Sequence, residues 1–314
     1  MKAIMYHYVR PFNPDFPYFK NLDIADFELQ LDYFESEFGF VSKADFVAAF
    51  QEGSVPKGVV LTFDDGLKCH YRYALPALQK RGLWGIFYVP TQPYSEGKMI
   101  DVHRIHLILG KSDPKAVYEQ LQTSLREDMI DQAKLAEFKQ FTYRTQDNDN
   151  YTLGVKRFLN YFLSYTHREQ IIDELIEEFV PNYQELFEDF YLKPAEIKEM
   201  QDAGMVIGSH TVNHPVMSRL NPAEQSAQIH DSFAFLEQTA GPLEPLTFCY
   251  PYGGFHSFTD QTEAILAEKG CLFSFNVEQR DIESGDLLNR PQALPRYDCN
   301  QFKYGQVRQR SFVG

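Results

Sequence analysis

Short apolar runs alternate with amphipathic stretches along most of the chain, and the pattern predicts a βα rhythm. Lys2 to Val9 reads as a first strand. Phe27, Leu31, Phe34 and Phe38 then recur at spacings of 4, 3 and 4, one face of a helix from Asp26 that Gly39 stops. A short helix from Lys43 to Gln51 leads to Pro56 and to the apolar, β-branched run Gly58 to Phe63, which is too short for a helix. Tyr71 to Lys80 is a helix with Pro76 near its first turns and Gly82 past its end, and Trp84 to Val89 is the next strand. The two strands of this unit should be parallel neighbours.

Residues 94–192 break the rhythm. They carry long helical patterns, a polar loop at 146–150, and a Thr166-His167-Arg168-Glu169 capping box ahead of Ile171, Ile172, Leu175, Ile176 and Phe179. The expectation is one domain over 1–314 with 94–192 as a helical insertion. The rhythm then resumes. A helix from Pro194 to Ala203 precedes the strand Met205 to Gly208, and a helix from Asn221-Pro222 to about Thr239 precedes the strand Leu246 to Tyr250. A helix over Thr259 to Lys269 precedes the strand Cys271 to Val277, and the tail holds Leu294-Pro295-Arg296.

Three strand ends carry unusual groups: Asp64-Asp65, His210 with His214, and Pro251-Tyr252-Gly253. Adjacent carboxylates repel, and a cation beside them removes that cost. In a parallel sheet the three ends share one face, where one Asp and two His make a workable ligand set for a Zn²⁺-like ion with a position left for water. Taken singly, each signal has a plain structural reading: an Asp-Gly turn and a structural His pair.

Composition narrows the partners. A formal charge of −14 disfavours nucleic acid and anionic membranes, and no run approaches the roughly 20 apolar residues of a membrane span. Cys69, Cys249, Cys271 and Cys299 form no CxxC pair and read as free, mostly buried thiols. The N-terminus does not read as a signal peptide, so a cytoplasmic location is expected.

With these motifs in order, the chain resembles the polysaccharide deacetylase family, carbohydrate esterase family four. Thr62-Phe63-Asp64-Asp65-Gly66 matches the family's first motif in full, Ser209-His210-Thr211-Val212-Asn213-His214 its second in full, and Phe248-Cys249-Tyr250-Pro251-Tyr252-Gly253 its third in part. The resemblance implies an α/β fold, a distorted (β/α) barrel of about seven parallel strands. It also implies one divalent metal ion, Zn²⁺ first with Co²⁺ or Ni²⁺ as alternatives. The implied reaction is hydrolysis of an acyl group, N-acetyl first, on a sugar nucleotide or glycan precursor for surface polysaccharide. Carried over by residue, Asp65, His210 and His214 are the implied metal ligands and Asp64 the general base, with the backbone N–H of Tyr252 on the oxyanion.

Two departures from the family pattern stand out. Cys249 occupies the place of a base-orienting arginine, for which Arg296 is the candidate substitute, a structural ion pair being the other reading. No histidine follows His256, so the leaving-group acid falls to His7 in Tyr6-His7-Tyr8, with a buried structural histidine as the alternative. Tyr250, Pro251, Gly253 and His256 are candidates for the substrate pocket, although the tyrosines can equally pack and His256 can be a loop residue. His70, His167 and His230 read as solvated helix residues. His103 and His106 are given no metal role. Rival functions are a deformylase or other amide hydrolase on the same fold, and a decayed sugar-binding module.

Overall fold

The computed structural model describes residues 1–144, 146 and 148–307. The chain divides into two compact units, one holding residues 1–11, 21–97 and the segment from Asp189 on, the other 12–20 and 98–188.

The first unit is built on seven parallel strands: β1 (Lys2–Tyr6), β2 (Val59–Phe63), β3 (Ile86–Val89), β4 (Val206–Ser209), β5 (Thr247–Cys249), β6 (Phe273–Phe275) and β7 (Tyr297–Asp298). Their order across the sheet is β6-β5-β4-β3-β2-β1-β7. The sheet curls into a distorted barrel. Leu294 pairs with Phe275 of β6, and three residues later Tyr297 pairs with Ile4 of β1. The segment 294–298 therefore joins the two sheet edges, and Arg296 lies in that seam. Two-residue β7 falls below any strand signal in the sequence, where this stretch reads only as a tail.

Side-chain alternation sorts the strands into two layers. Ile4, Tyr6, Leu61, Phe63, Phe87, Ile207 and Phe248 pack outward with helix residues such as Phe27, Leu31, Leu78, Ile197, Ile229 and Phe233. Ala3, Val60, Ile86, Tyr88, Val206, Cys249 and Phe275 form a separate inner cluster. Each fully buried large apolar side chain contributes about 1.5–3 kcal/mol. The interior is tight: a Cβ on Gly208 would lie 2.5 Å from the Tyr88 ring. This parity places Thr62 and Asp64 of the β2 run on the inner side, in step with Val60.

The helices follow their local signals. Asp23 caps Ile24–Glu37 by accepting from the Ala25 N–H, Ser42 caps Lys43–Glu52, and Asn221 with Glu224 forms a capping box on Pro222–Ala240. The stretch after β2 differs from expectation: a π-turn, His70–Ala74, precedes the α-helix Leu75–Lys80.

In the second unit, Asp101–Lys111, Pro114–Ser124, Asn150–Arg157 and Tyr165–Phe179 are the longer helices. The expected capping box at Thr166 is not the helix start. Ser164 is already the N-cap residue, its hydroxyl shared with that of Thr166 at 2.9 Å. Arg104, fully buried, is held by Asp101 and Asp173. Among the described residues no helix is long and apolar enough to cross a membrane.

Candidate active site

The register sets the site. Tyr6 is level with Phe63, Val89 with Ser209, and Ser209 with Phe248. The residues that follow, His7, Asp64, His210 and Cys249, therefore emerge from one end of the barrel. Functional groups of barrel folds gather at such C-terminal strand ends.

Asp64 and Asp65 then part company. The Asp64 N–H still donates to the Tyr6 carbonyl at 2.9 Å, continuing the ladder. Asp65 turns to φ 82, which sends its carboxylate away from the barrel interior towards the His210–His214 turn. His210 Nε2 lies 3.4 Å and His214 Nε2 3.7 Å from Asp65 Oδ1, and all three side chains are buried. Of the six described non-glycine residues with positive φ, four (Asp65, Thr211, His214 and Tyr252) lie here. Such backbone is unfavourable for these residue types and persists only where its surroundings enforce it. The enforcement is visible. Thr211 Oγ1 accepts the His214 N–H at 2.9 Å, and Gln228 Oε1 accepts the N–H groups of Val212 and Asn213.

His210 is oriented from behind. Its Nδ1 lies 2.7 Å from the Cys249 carbonyl, which can only accept, so Nδ1 carries a proton and Nε2 is the ring nitrogen turned to Asp65. Burial alone would lower the His210 pKa, yet Cys249, Asp65 and Asp64 around it raise it well above the ordinary value. The pocket thus accepts a positive charge. Ligand atoms of Asp65, His210 and His214 lie within 4.8 Å of one another, as do those of Asp64, His210 and Cys249. The first set fits a divalent ion better. In the second set Asp64 already serves an arginine, and burial raises the Cys249 thiol pKa, whereas a metal-bound cysteine must be a thiolate.

Asp64 lies on the inner face of the sheet, its carboxylate still within 4.8 Å of a His210 ring nitrogen. The Arg296 guanidinium meets it as a fork, Nη1 to Oδ1 and Nη2 to Oδ2, both at 2.8 Å. The remaining Arg296 donors reach the Thr62 hydroxyl at 2.9 Å, Cys249 Sγ at 2.9 Å and the Asn276 carbonyl at 3.1 Å, so all five N–H groups are used. Burial pushes the Asp64 pKa up, but Arg296 more than offsets this and holds it at about 2. His7 stands on the open side. Its Nε2 is 4.0 Å from Asp65 Oδ2, with its side chain 38% exposed.

A family model described as polysaccharide deacetylase matches residues 52–273. The chain belongs to the polysaccharide deacetylase family. Solved structures share the fold of this deacetylase-family chain. A Streptococcus pyogenes deacetylase, PplD, in complex with acetate is 18% identical with a TM-score of 0.57, over 95% of this chain and 91% of that one. IcaB from Ammonifex degensii is 19% identical with a TM-score of 0.55, over 94% and 90%. A de-N-acetylase from Aggregatibacter actinomycetemcomitans is 15% identical with a TM-score of 0.51, over 94% and 93%.

The structure distributes the other expected residues of this family member unevenly. Tyr252 is at the site, its ring edge-on to His214 with centroids 4.9 Å apart. Tyr250 is not on a pocket wall. It has the outward parity of Phe248, stacks on Phe258 at 3.8 Å, and donates its hydroxyl to the Gln292 carbonyl at 2.6 Å. Pro251 and Gly253 are likewise buried. Gly253 is a backbone requirement: φ is 67, and a Cβ would lie 2.6 Å from Val277. His256 is a loop residue folded over Gly254, its carbonyl accepting from the Ser218 hydroxyl at 2.7 Å. Two residues near the site were underrated. Cys249 touches the Asp64 carboxylate through Sγ, at 3.4 Å, and His210 through its carbonyl. Its position within the third motif was the available signal. His70 is fully buried rather than solvated.

Proposed function

We propose that this deacetylase-family chain is a metal-dependent carbohydrate N-deacylase. Its first-choice substrate is an N-acetylated sugar of a glycan or sugar-nucleotide precursor. The observation that carries the reading is the convergence of Asp65, His210 and His214 on one spot beside a clamped Asp64. Family membership supports hydrolysis of an acyl group, and the acetate complex and the de-N-acetylase among similar structures support acetyl and nitrogen.

Asp65, His210 and His214 would hold the ion, with Zn²⁺ suited to one carboxylate and two imidazoles. When bound, it supplies Lewis acidity for the acyl carbonyl and for a nucleophilic water. The chain's own groups do the rest. Asp64, kept ionised by Arg296, takes the proton of the attacking water. The fork also fixes which carboxylate edge faces the site. His7, on the opposite side, gives its proton to the departing amine nitrogen. The Tyr252 backbone N–H is the candidate donor to the carbonyl oxygen as charge grows on it.

The test is metal analysis of the purified protein together with acid release from N-acetyl, N-formyl and O-acetyl sugars. The expected result is about one divalent ion per chain and acetate release that stops on chelation and returns with Zn²⁺. Formate in place of acetate would make the chain a deformylase, and no acid from any substrate would make it a binding module.

A further inference from the structure

We propose that His70 is a positioning residue that pins the backbone of His7 at the end of β1. The inference rests on the reading of His7 as the leaving-group acid, and it adds a residue that no motif covers.

The contact is direct. His70 Nε2 lies 2.6 Å from the His7 carbonyl oxygen. Tyr6 supplies the last ladder carbonyl of β1 to the Asp64 N–H, and the next carbonyl along the chain, that of His7, is taken by the His70 ring. Beyond it the chain is tied again, by the Leu22 N–H to the Tyr8 carbonyl at 2.9 Å and the Arg10 N–H to the Leu22 carbonyl at 3.0 Å, so the His70 bond fixes the one carbonyl left between β1 and that bridge, just where a half-exposed side chain must hold a proton in line.

The ring itself is firmly set. It packs against Phe63 and Phe87, with centroids 5.5 and 5.9 Å away. Residue 70 opens the π-turn His70–Ala74, a rare widening of the helix that often marks functional positions. From the start of that turn the buried imidazole reaches back to the His7 carbonyl.

The tautomer follows from the partners. A carbonyl only accepts, so Nε2 carries the hydrogen. Nδ1 is buried with no hydrogen-bond partner among the described residues. A second proton would be stranded there, and burial holds the His70 pKa down to about 4. His70 is therefore a neutral donor at ordinary pH, with no proton to contribute to the reaction.

A buried histidine can also be simple core filling, and the experiment separates the two. His70→Phe fills the aromatic cage and removes the donor; His70→Gln restores an N–H on a side chain of similar reach. Two probes are used: an N-acetylglucosamine oligosaccharide, whose amine must be protonated to leave, and 4-nitrophenyl acetate, whose leaving group needs no acid. His70→Phe is expected to lower kcat on the oligosaccharide about 10- to 100-fold, with KM, metal content and 4-nitrophenyl acetate turnover unchanged. His70→Gln should recover most of the rate. Hydrogen exchange at residues 7–9 should quicken in His70→Phe and return in His70→Gln. Equal losses on both probes, or exchange unchanged from wild type, would overturn the inference. His7→Ala separates the two levels. Loss of oligosaccharide turnover in His7→Ala with none in His70→Phe sinks only the positioning role, whereas full turnover in His7→Ala sinks the acid reading and this inference with it.

Discussion

Asp64 and Asp65 are consecutive in the chain and look into different worlds. Asp64 faces the barrel interior, where a fully matched guanidinium grips both its oxygens. Asp65 faces two imidazole nitrogens whose lone pairs can be shared with a cation. One backbone angle, φ 82 at Asp65, makes the difference. Two like carboxylates side by side would drive one to protonate. Asp64 keeps its charge because Arg296 is its resident positive neighbour, and under the proposed function a divalent ion would play that part for Asp65. Two carboxylates separated in this way can take two roles, base and ligand.

The largest effect should come from breaking the Asp65 side. Asp65→Asn replaces an anionic ligand by a neutral one and is expected to lose the divalent ion and reduce acid release to background. Metal analysis and acetate assay check both, and an ion retained at wild-type level would break the comparison. Next comes Asp64→Asn, which should keep the ion and lower turnover by roughly 10²–10⁴. Loss of the ion in that variant would mean that the two carboxylates share one role.

Arg296→Met sharpens the same contrast through stability. It leaves a buried carboxylate without its partner, at a cost of roughly 3–5 kcal/mol in chemical denaturation. The sign with pH follows from the depressed pKa. Asp64 titrates at about 2 when folded against 3.8 when free, so the pair's contribution is present above about pH 4 and is lost as pH falls towards 2. In Arg296→Met burial dominates, the Asp64 pKa rises above its free value, and this acid-side loss should disappear. Urea midpoints across that range decide it.

Much of this arrangement was legible and some was not, for physical reasons. Asp64-Asp65 and His210-x3-His214 follow apolar strands in a βα rhythm, and a parallel sheet must bring such ends together. Arg296 is 232 residues from Asp64, and its place depends on how the two edges of a curled sheet meet, which no local pattern encodes. Tyr250 could have been placed by alternation alone, since it shares the parity of Phe248. His70 could not, because its partner is a main-chain carbonyl 63 residues away and no local pattern encodes that contact. At Thr166 the S/T-x-x-E pattern was real, but Ser164 starts the helix two residues earlier.

Cys249 touches both sides of the contrast, which makes it the finest probe of their separation. Its thiol lies against Asp64 and Arg296, whereas its main-chain carbonyl holds His210. A side-chain change should therefore reach the base and not the ligands. Cys249→Ala removes one weak hydrogen bond, worth about 1 kcal/mol, while the two-point Arg296 fork remains. The expected outcome is a few-fold drop in turnover with full metal content, and Cys249→Ser should sit closer to wild type because its hydroxyl can still donate to Asp64. If Cys249→Ala instead releases the ion, the inner and outer sides are coupled through β5, and Asp64 and Asp65 belong to one electrostatic unit rather than two.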